Sequence, residues 1–381
     1  MSGGALEALP ERLVFVGSGG VGKTTLAAAL AVHYAVRGER TLVMTFDPSL
    51  RLKDALGIQD APRSGAPAAA NAKDGEVRVA LGAGARGELF AHLLDARSTF
   101  DRLIHRYAPD AASRDRILQN RFFRHLAGRL AGILEYMAVE RLYEAVRSER
   151  FDRIILDTPP TSEAIEFLDA PKRIVSFLDS GALRLALKPW FDREGHFRPK
   201  VLPGLGMPLE ALLDRLVGIE LLRDMAEFFQ AFAPLFEGFR RRALEVDELL
   251  RSRDTGFALV TAAAERNLAD TMFFARNLTE RSHELVAVIA NRVHPVLDKA
   301  AEAASGNLGA GGAAGQAHAL ERDGLELMRW LGERDRRGIV QLEDLLAGGP
   351  AVVSVPLLAS SPADLPRLEQ LGKRLEASWI Q

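Results

Sequence analysis

A lysine and two threonines close a run of glycines in the stretch Gly17-Ser18-Gly19-Gly20-Val21-Gly22-Lys23-Thr24-Thr25. That combination is suited to gripping a chain of phosphates. The backbone from Gly19 through Gly22, Val21 included, can fold its N–H groups around phosphate oxygens, and Lys23 can carry its ammonium group to the β- and γ-phosphates. The Thr24 hydroxyl is the type of ligand that holds Mg²⁺ beside a triphosphate, and Thr25 lies close enough for a further phosphate oxygen. Gly17 to Thr24 fit G-x-x-x-x-G-K-[ST], a pattern that becomes specific when a strand precedes it and a helix follows.

Three further polar residues follow apolar runs. Asp47 comes straight after "TLVMTF", in "DPSLRLKDALG". A carboxylate at a strand end can orient an attacking water, although an Asp-Pro turn is also common there. Beside a phosphate loop, at the carboxyl end of the neighbouring strand, the catalytic reading is the stronger. Asp157 ends "RIILD" and is the usual acidic partner of such a loop, reaching Mg²⁺ directly or through water. Thr158-Pro159-Pro160-Thr161 then makes a stiff turn suited to sensing the γ-phosphate. Asn291, in "VIANRVHP", can offer a donor and an acceptor to adenine, or simply cap a turn.

These residues need a scaffold that brings strand ends together. "RLVFV" at 12–16 reads as a buried parallel strand. Leu26, Leu30 and Tyr34 then fall on one helical face, with Gly38 as the stop. "TLVMTF" is a second strand, which completes a βαβ unit and predicts an α/β phosphate-loop fold, a mostly parallel twisted sheet flanked by helices. Further strands are expected at 77–81, 151–157, in "GFALVTAAAE", in "LVAVIANRVHP" and at 351–360. The spans 87–147 and 164–250 read as helical insertions into one domain covering 1–381. Residues 61–76 and 300–316, rich in Ala, Gly, Pro and Ser, read as flexible loops.

Composition narrows the classes. Of 381 residues 48% are hydrophobic and 26% charged, as in a globular protein with a large core. The formal net charge of −2 gives no pull toward nucleic acid. Cysteine is absent, which excludes disulfides, thiolate zinc and soft-metalloid sites. No apolar stretch near the start is long enough for a signal or a span, so a cytoplasmic protein, at most peripheral to a membrane, is expected.

In order and spacing these pieces resemble the ArsA family of ATPases, over nearly the whole chain. "FDPSLRLKDALG" is similar to the family's first switch, with Asp47 on the water-orienting position. "DTPPTSEAIEFLDAPKRI" is similar to its second switch, "NRVHP" to its adenine-contacting segment, and "VPLLASSPADLPRLEQL", with Pro356, to its nucleotide-contacting C-terminal strand and helix. "EYMA" at Glu135–Ala138 is similar to a prokaryotic subgroup. The resemblance implies ATP and Mg²⁺ as cofactors and a nucleotide-sandwiched dimer, either of two copies of this chain or with an ArsA-like paralogue. It also implies coupling to a client or membrane partner. Ser18 departs from the family, which carries there a signature lysine that reaches the partner's phosphates. The hydroxyl is short and uncharged, and cations supplied in this way are worth about 10³–10⁵ in rate. The chain therefore reads as an ATPase that is slow when paired with itself, or as a nucleotide-holding partner of a lysine-bearing paralogue. Arg51, in the first switch, is a candidate substitute cation, although a solvent-facing arginine is the commoner case.

Met225, Phe228, Phe229, Phe232, Leu235, Phe236 and Phe239 recur at three- and four-residue spacing. In a client-carrying relative such a stripe lines an apolar groove. The simpler reading, a packed helix face, is preferred.

Overall fold

In the computed structural model of the chain, the described residues are 9–46, 51–58, 75–94, 96–121, 133–159, 161–179, 224, 227–228, 231–297, 313–362 and 364–380. The apolar runs become β1 (Arg12–Gly17), β2 (Arg40–Thr45), β3 (Glu76–Val79), β4 (Glu88–Leu93), β5 (Arg153–Asp157), β6 (Thr255–Ala262), β7 (Glu284–Val293) and β8 (Ala351–Pro356). They lie side by side in the order β3-β4-β2-β5-β1-β6-β7-β8. Only the β3–β4 pairing is antiparallel among the described strands. The expected mostly parallel α/β sheet is therefore present.

Along each central strand the side chains alternate between two cores, because a strand repeats every second residue. Leu13 and Phe15 of β1 enter one core with Val43, Ile155, Val260 and Ile289. Val14 and Val16 enter the other with Met44, Leu156, Phe257 and Val288. The first core is closed by α1 (Lys23–Arg37) and α10 (Leu365–Ile380), with the short α2 (Arg51–Ala55) at its edge. The α1 stretch Ala27–Ala31 is fully buried, and at Gly372 of α10 a Cβ would lie 2.2 Å from the Ala29 carbonyl oxygen. Small residues let these two helices meet backbone to backbone.

The second core is closed by α3 (Ala96–Tyr107), α5 (Ile133–Arg147), α6 (Thr161–Asp179), α7 (Phe236–Arg251) and α8 (Leu268–Glu280). Between α3 and α5 lies α4 (Ala111–Gln119), and α9 (Ala313–Leu345) runs between β7 and β8. Of the aromatic stripe, Phe228, Phe232, Leu235 and Phe239 are buried in this second core, and Phe236 packs against it. Phe232 is stacked against Phe228 and Phe100, with centroids at 5.4 and 6.1 Å. The packed-face reading holds for these members; Met225 and Phe229 lie outside the described residues.

Three expectations change. The span from 87 opens on a strand, not a helix: Leu89 and Ala91 of β4 face one core while Phe90 and His92 face the other. Gly87 allows the entry, since a Cβ there would meet the Glu39 carbonyl at 2.3 Å. The loop expected over 300–316 stops short, because α9 begins at Ala313, where alanine-rich sequence favours helix; residues 300–312 lie outside the described residues, as do 61–74. Finally, β2 does not neighbour β1. The chain leaves β1 through α1, skips a place, and β5 later fills it. No helix among the described residues is long and apolar enough to cross a membrane.

Candidate nucleotide site

The loop Gly17–Gly22 bridges the carboxyl end of β1 and the first turn of α1, at the place where the sheet order reverses and open α/β folds take ligands. Three glycines hold it in conformations that a side chain resists. Gly20 and Gly22 have φ of 77° and 100°. At Gly17 a Cβ would sit 2.1 Å from the Val260 carbonyl oxygen of β6. Gly22 is the N-cap of α1 and has no side chain to accept the helix's first N–H groups, so these donors face the loop.

Lys23 is buried, and its Nζ donates to the carbonyl oxygens of Gly17 and Ser18 at 2.9 and 3.0 Å. Its ammonium group is thus folded over the loop that it would share with phosphates. Thr24 and Thr25 follow on the same turn, both half-buried. The Thr24 hydroxyl donates to Asp157 Oδ2 at 2.6 Å, and the Thr45 hydroxyl donates to the same oxygen at 2.9 Å. Asp157 is 1% exposed. The next residue, Thr158, is pinned to β1 by its hydroxyl on the Phe15 carbonyl at 2.8 Å.

Thr45 was not foreseen as a site residue. Its signal was a polar residue near the end of an otherwise apolar strand, and only the β2–β5 pairing, Thr45 opposite Asp157, gives it a role. Asp47 lies outside the described residues. Arg51 begins α2 with its side chain exposed.

Asn291 sits where β7 outruns β6. Its Nδ2 donates to the Val21 carbonyl at 2.7 Å, and its Oδ1 accepts from the Arg292 N–H at 2.9 Å. A Cβ on Gly22 would lie 2.3 Å from that Nδ2. The side chain therefore clasps the phosphate loop itself. The backbone bulges here, with Arg292 at φ 59° and the β7–β8 register slipping between Asn291 and Val293.

Helix α9 braces this corner. Gly332 and Gly338 let it press on the strand-end loops, since Cβ atoms there would meet Pro295 O at 2.2 Å and Ala263 O at 1.8 Å. Asp335 accepts from the His294 N–H at 3.0 Å and pairs with Nδ1 of the ring at 2.7 Å. Burial disfavours the Asp335 carboxylate, but the His294 and Arg334 hydrogen bonds outweigh it and hold its pKa below the ordinary value. Pro356 ends β8, exposed, three strands from β1. That is about 14 Å at the usual strand spacing, on the same end of the sheet as the loop.

The family model for anion-transporting ATPases matches residues 11–191, which contain the loop, Asp157 and the turn after it. Residues 11–191 thus resemble the anion-transporting ATPase, or ArsA, family. Similarity to individual proteins extends further. An uncharacterized protein of Streptomyces coelicolor is 27% identical over 96% of this chain and 82% of its own length. The ATPase get3 of Aspergillus terreus is 25% identical over 74% of this chain and 73% of its own. An arsenical pump-driving ATPase of Acidiphilium multivorum is 29% identical over 46% of this chain, which spans only 28% of that relative. The family is of ATPase type, and the match covers the glycine loop described above.

Proposed function

We propose that the chain, as one domain, binds MgATP and hydrolyses it as a dimeric ArsA-like ATPase, coupling nucleotide state to a client or membrane partner. One observation carries the cofactor reading: the Asp157 carboxylate is held by Thr24 and Thr45 hydroxyls directly beside Lys23 and a loop shaped for phosphates. Thr24 and Asp157 are hard oxygen donors within contact of each other, a fit for Mg²⁺, which takes one or two protein ligands and completes its shell with phosphate and water. The ion would neutralise charge on the β- and γ-phosphates. Lys23 would leave the Gly17 and Ser18 carbonyls for the phosphates, and the amides from Gly19 through Gly22 and Lys23, with Thr25, would complete the cradle. Asn291 would keep the loop closed and, with Pro356, border the adenine. Asp47 would orient the water.

Steady-state turnover with purified full-length protein tests this. Magnesium-dependent ATP hydrolysis is expected, falling by about 10²–10⁴ in Asp47→Asn. Turnover that survives Asp47→Asn unchanged rules out that role.

Ser18 favours a second reading, a nucleotide-holding subunit of a lysine-bearing paralogue. Ser18→Lys separates the two. A rise in the lone chain's turnover, by up to about 10³-fold, supports a site that lacks only the trans cation. No change, together with activation on mixing with the paralogue, supports the subunit reading.

A further inference from the structure

On the far side of the second core, against the β3–β4 edge of the sheet, α3, α5 and α7 enclose a cleft of about 1000 Å³. Among the described residues it is lined by seven arginines and three glutamates, a surplus of four positive charges. Its floor is buried: Arg141, Arg242 and Glu76 are 4, 5 and 3% exposed. Its mouth is open, with Arg106, Arg147 and Arg241 exposed.

The carboxylates present are already shared. Glu76 takes both Arg141, at 2.5 Å, and Arg150, at 2.9 Å. Glu144 takes Arg141 at 3.2 Å and Arg106 at 3.5 Å. Glu245 accepts from the Tyr143 hydroxyl. Glu140, just behind the wall, takes Nε of Arg242 at 2.9 Å, so even with it counted the positive charge is in excess. Arg147 lies over the Tyr143 ring at 5.9 Å, and neither it nor Arg241 meets a carboxylate within 4.0 Å among the described residues. Two buried donors in the floor, Nε of Arg141 and Nη2 of Arg242, have no hydrogen-bond acceptor among the described residues. The Arg242 guanidinium lies over the Tyr107 ring, its Cζ 3.8 Å from the centroid.

A purely structural network of buried ions needs balanced charge and satisfied donors. Here the buried ions balance, Arg141 and Arg242 against Glu76 and Glu140, but two floor donors lack acceptors among the described residues, further arginines stand exposed at the mouth, and the volume is that of a small-molecule site. We infer that the cleft binds a small phosphorylated anion, at a site separate from the phosphate loop. Guanidinium forks on three helices converge on one space, which suits an anion with oxygens pointing several ways. A phosphate monoester brings about −1.5 to −2 charges in one group, more than a carboxylate can.

Inorganic pyrophosphate is the probe, titrated calorimetrically into full-length protein carrying Lys23→Ala to silence the phosphate loop. One equivalent is expected to bind, about tenfold or more weaker after Arg147→Glu with Arg241→Glu. Both positions are exposed, and an unchanged melting curve shows that the variant is folded. Citrate is expected to bind more weakly than pyrophosphate. Three results would each overturn the inference: no binding in Lys23→Ala, binding indifferent to the charge reversal, or citrate binding as tightly as pyrophosphate. Failure here leaves ATP binding at the phosphate loop untouched, and failure there leaves this cleft standing.

Discussion

The two faces of the sheet are built on different terms. One is covered by α1 and α10, whose alanines and Gly372 let backbones touch and leave no room for adjustment. The other is covered by helices bearing large aromatics, and it buries Arg141, Arg242, Glu76, Glu140 and His92. The small-residue face carries the phosphate loop directly, because α1 starts at Lys23. The aromatic and ionic face carries α6, which follows the Asp157 turn, and the arginine cleft. The difference teaches that added volume and removed charge should hurt on opposite sides.

The largest effect is expected on the ionic face. Arg242→Met takes from the fully buried Glu140 its ion-pair partner and leaves it only the Tyr136 hydroxyl, a loss of about 3–5 kcal/mol by urea denaturation. Burial already pushes the Glu140 pKa up despite Arg242. Adding Glu140→Leu should recover most of the loss, whereas two additive losses would mean that the pair is not coupled.

The same face should respond to acid. Burial lowers the His283 pKa to about 4 from 6.5, and burial, then Arg141 and Arg102, hold His92 well below the usual value. The unfolded chain therefore binds more protons between these values. The stability is complete above about pH 6.5 and is lost as pH falls toward 4, by about 3 kcal/mol from His283. Denaturation midpoints measured across that window should slope accordingly, and His283→Gln should flatten the slope. A slope unchanged by the substitution refutes the assignment.

On the tight face a single methyl is costly. Gly372→Ala drives a Cβ into the Ala29 carbonyl and should cost about 1–3 kcal/mol. Phe232→Leu, within the stacked aromatics, should cost about 1 kcal/mol, because its neighbours can shift. If the phenylalanine change costs more than the glycine change, the contrast between the faces is wrong.

The smallest expected effect concerns the strand ends. Thr45→Val removes a hydroxyl donor to Asp157, worth about 1 kcal/mol of stability, and should weaken magnesium-dependent nucleotide binding a few-fold by calorimetry. Binding left unchanged would show that Thr45 is not needed to position the carboxylate.

The phosphate loop and the strand ending in Asp157 could be read from sequence, because each is local: a glycine pattern between strand and helix, and an apolar run stopped by an acid. What pairs with what could not. Thr45 acquires a function only when β5 inserts between β2 and β1. Asn291 turns to the Val21 carbonyl because β7 overshoots β6 and bulges. Strand β4 was hidden by its polar residues, Glu88 and His92, within a helix-favouring region. The cleft draws on three helices separated in the chain, and no local pattern announces it.

Calorimetric titration of ATP with magnesium into the folded full-length chain, beside Lys23→Ala, tests the nucleotide site most directly. One ATP per chain is expected, with binding lost in Lys23→Ala while its melting curve is retained. Binding that is absent from the unaltered chain, or equal in both proteins, contradicts the account.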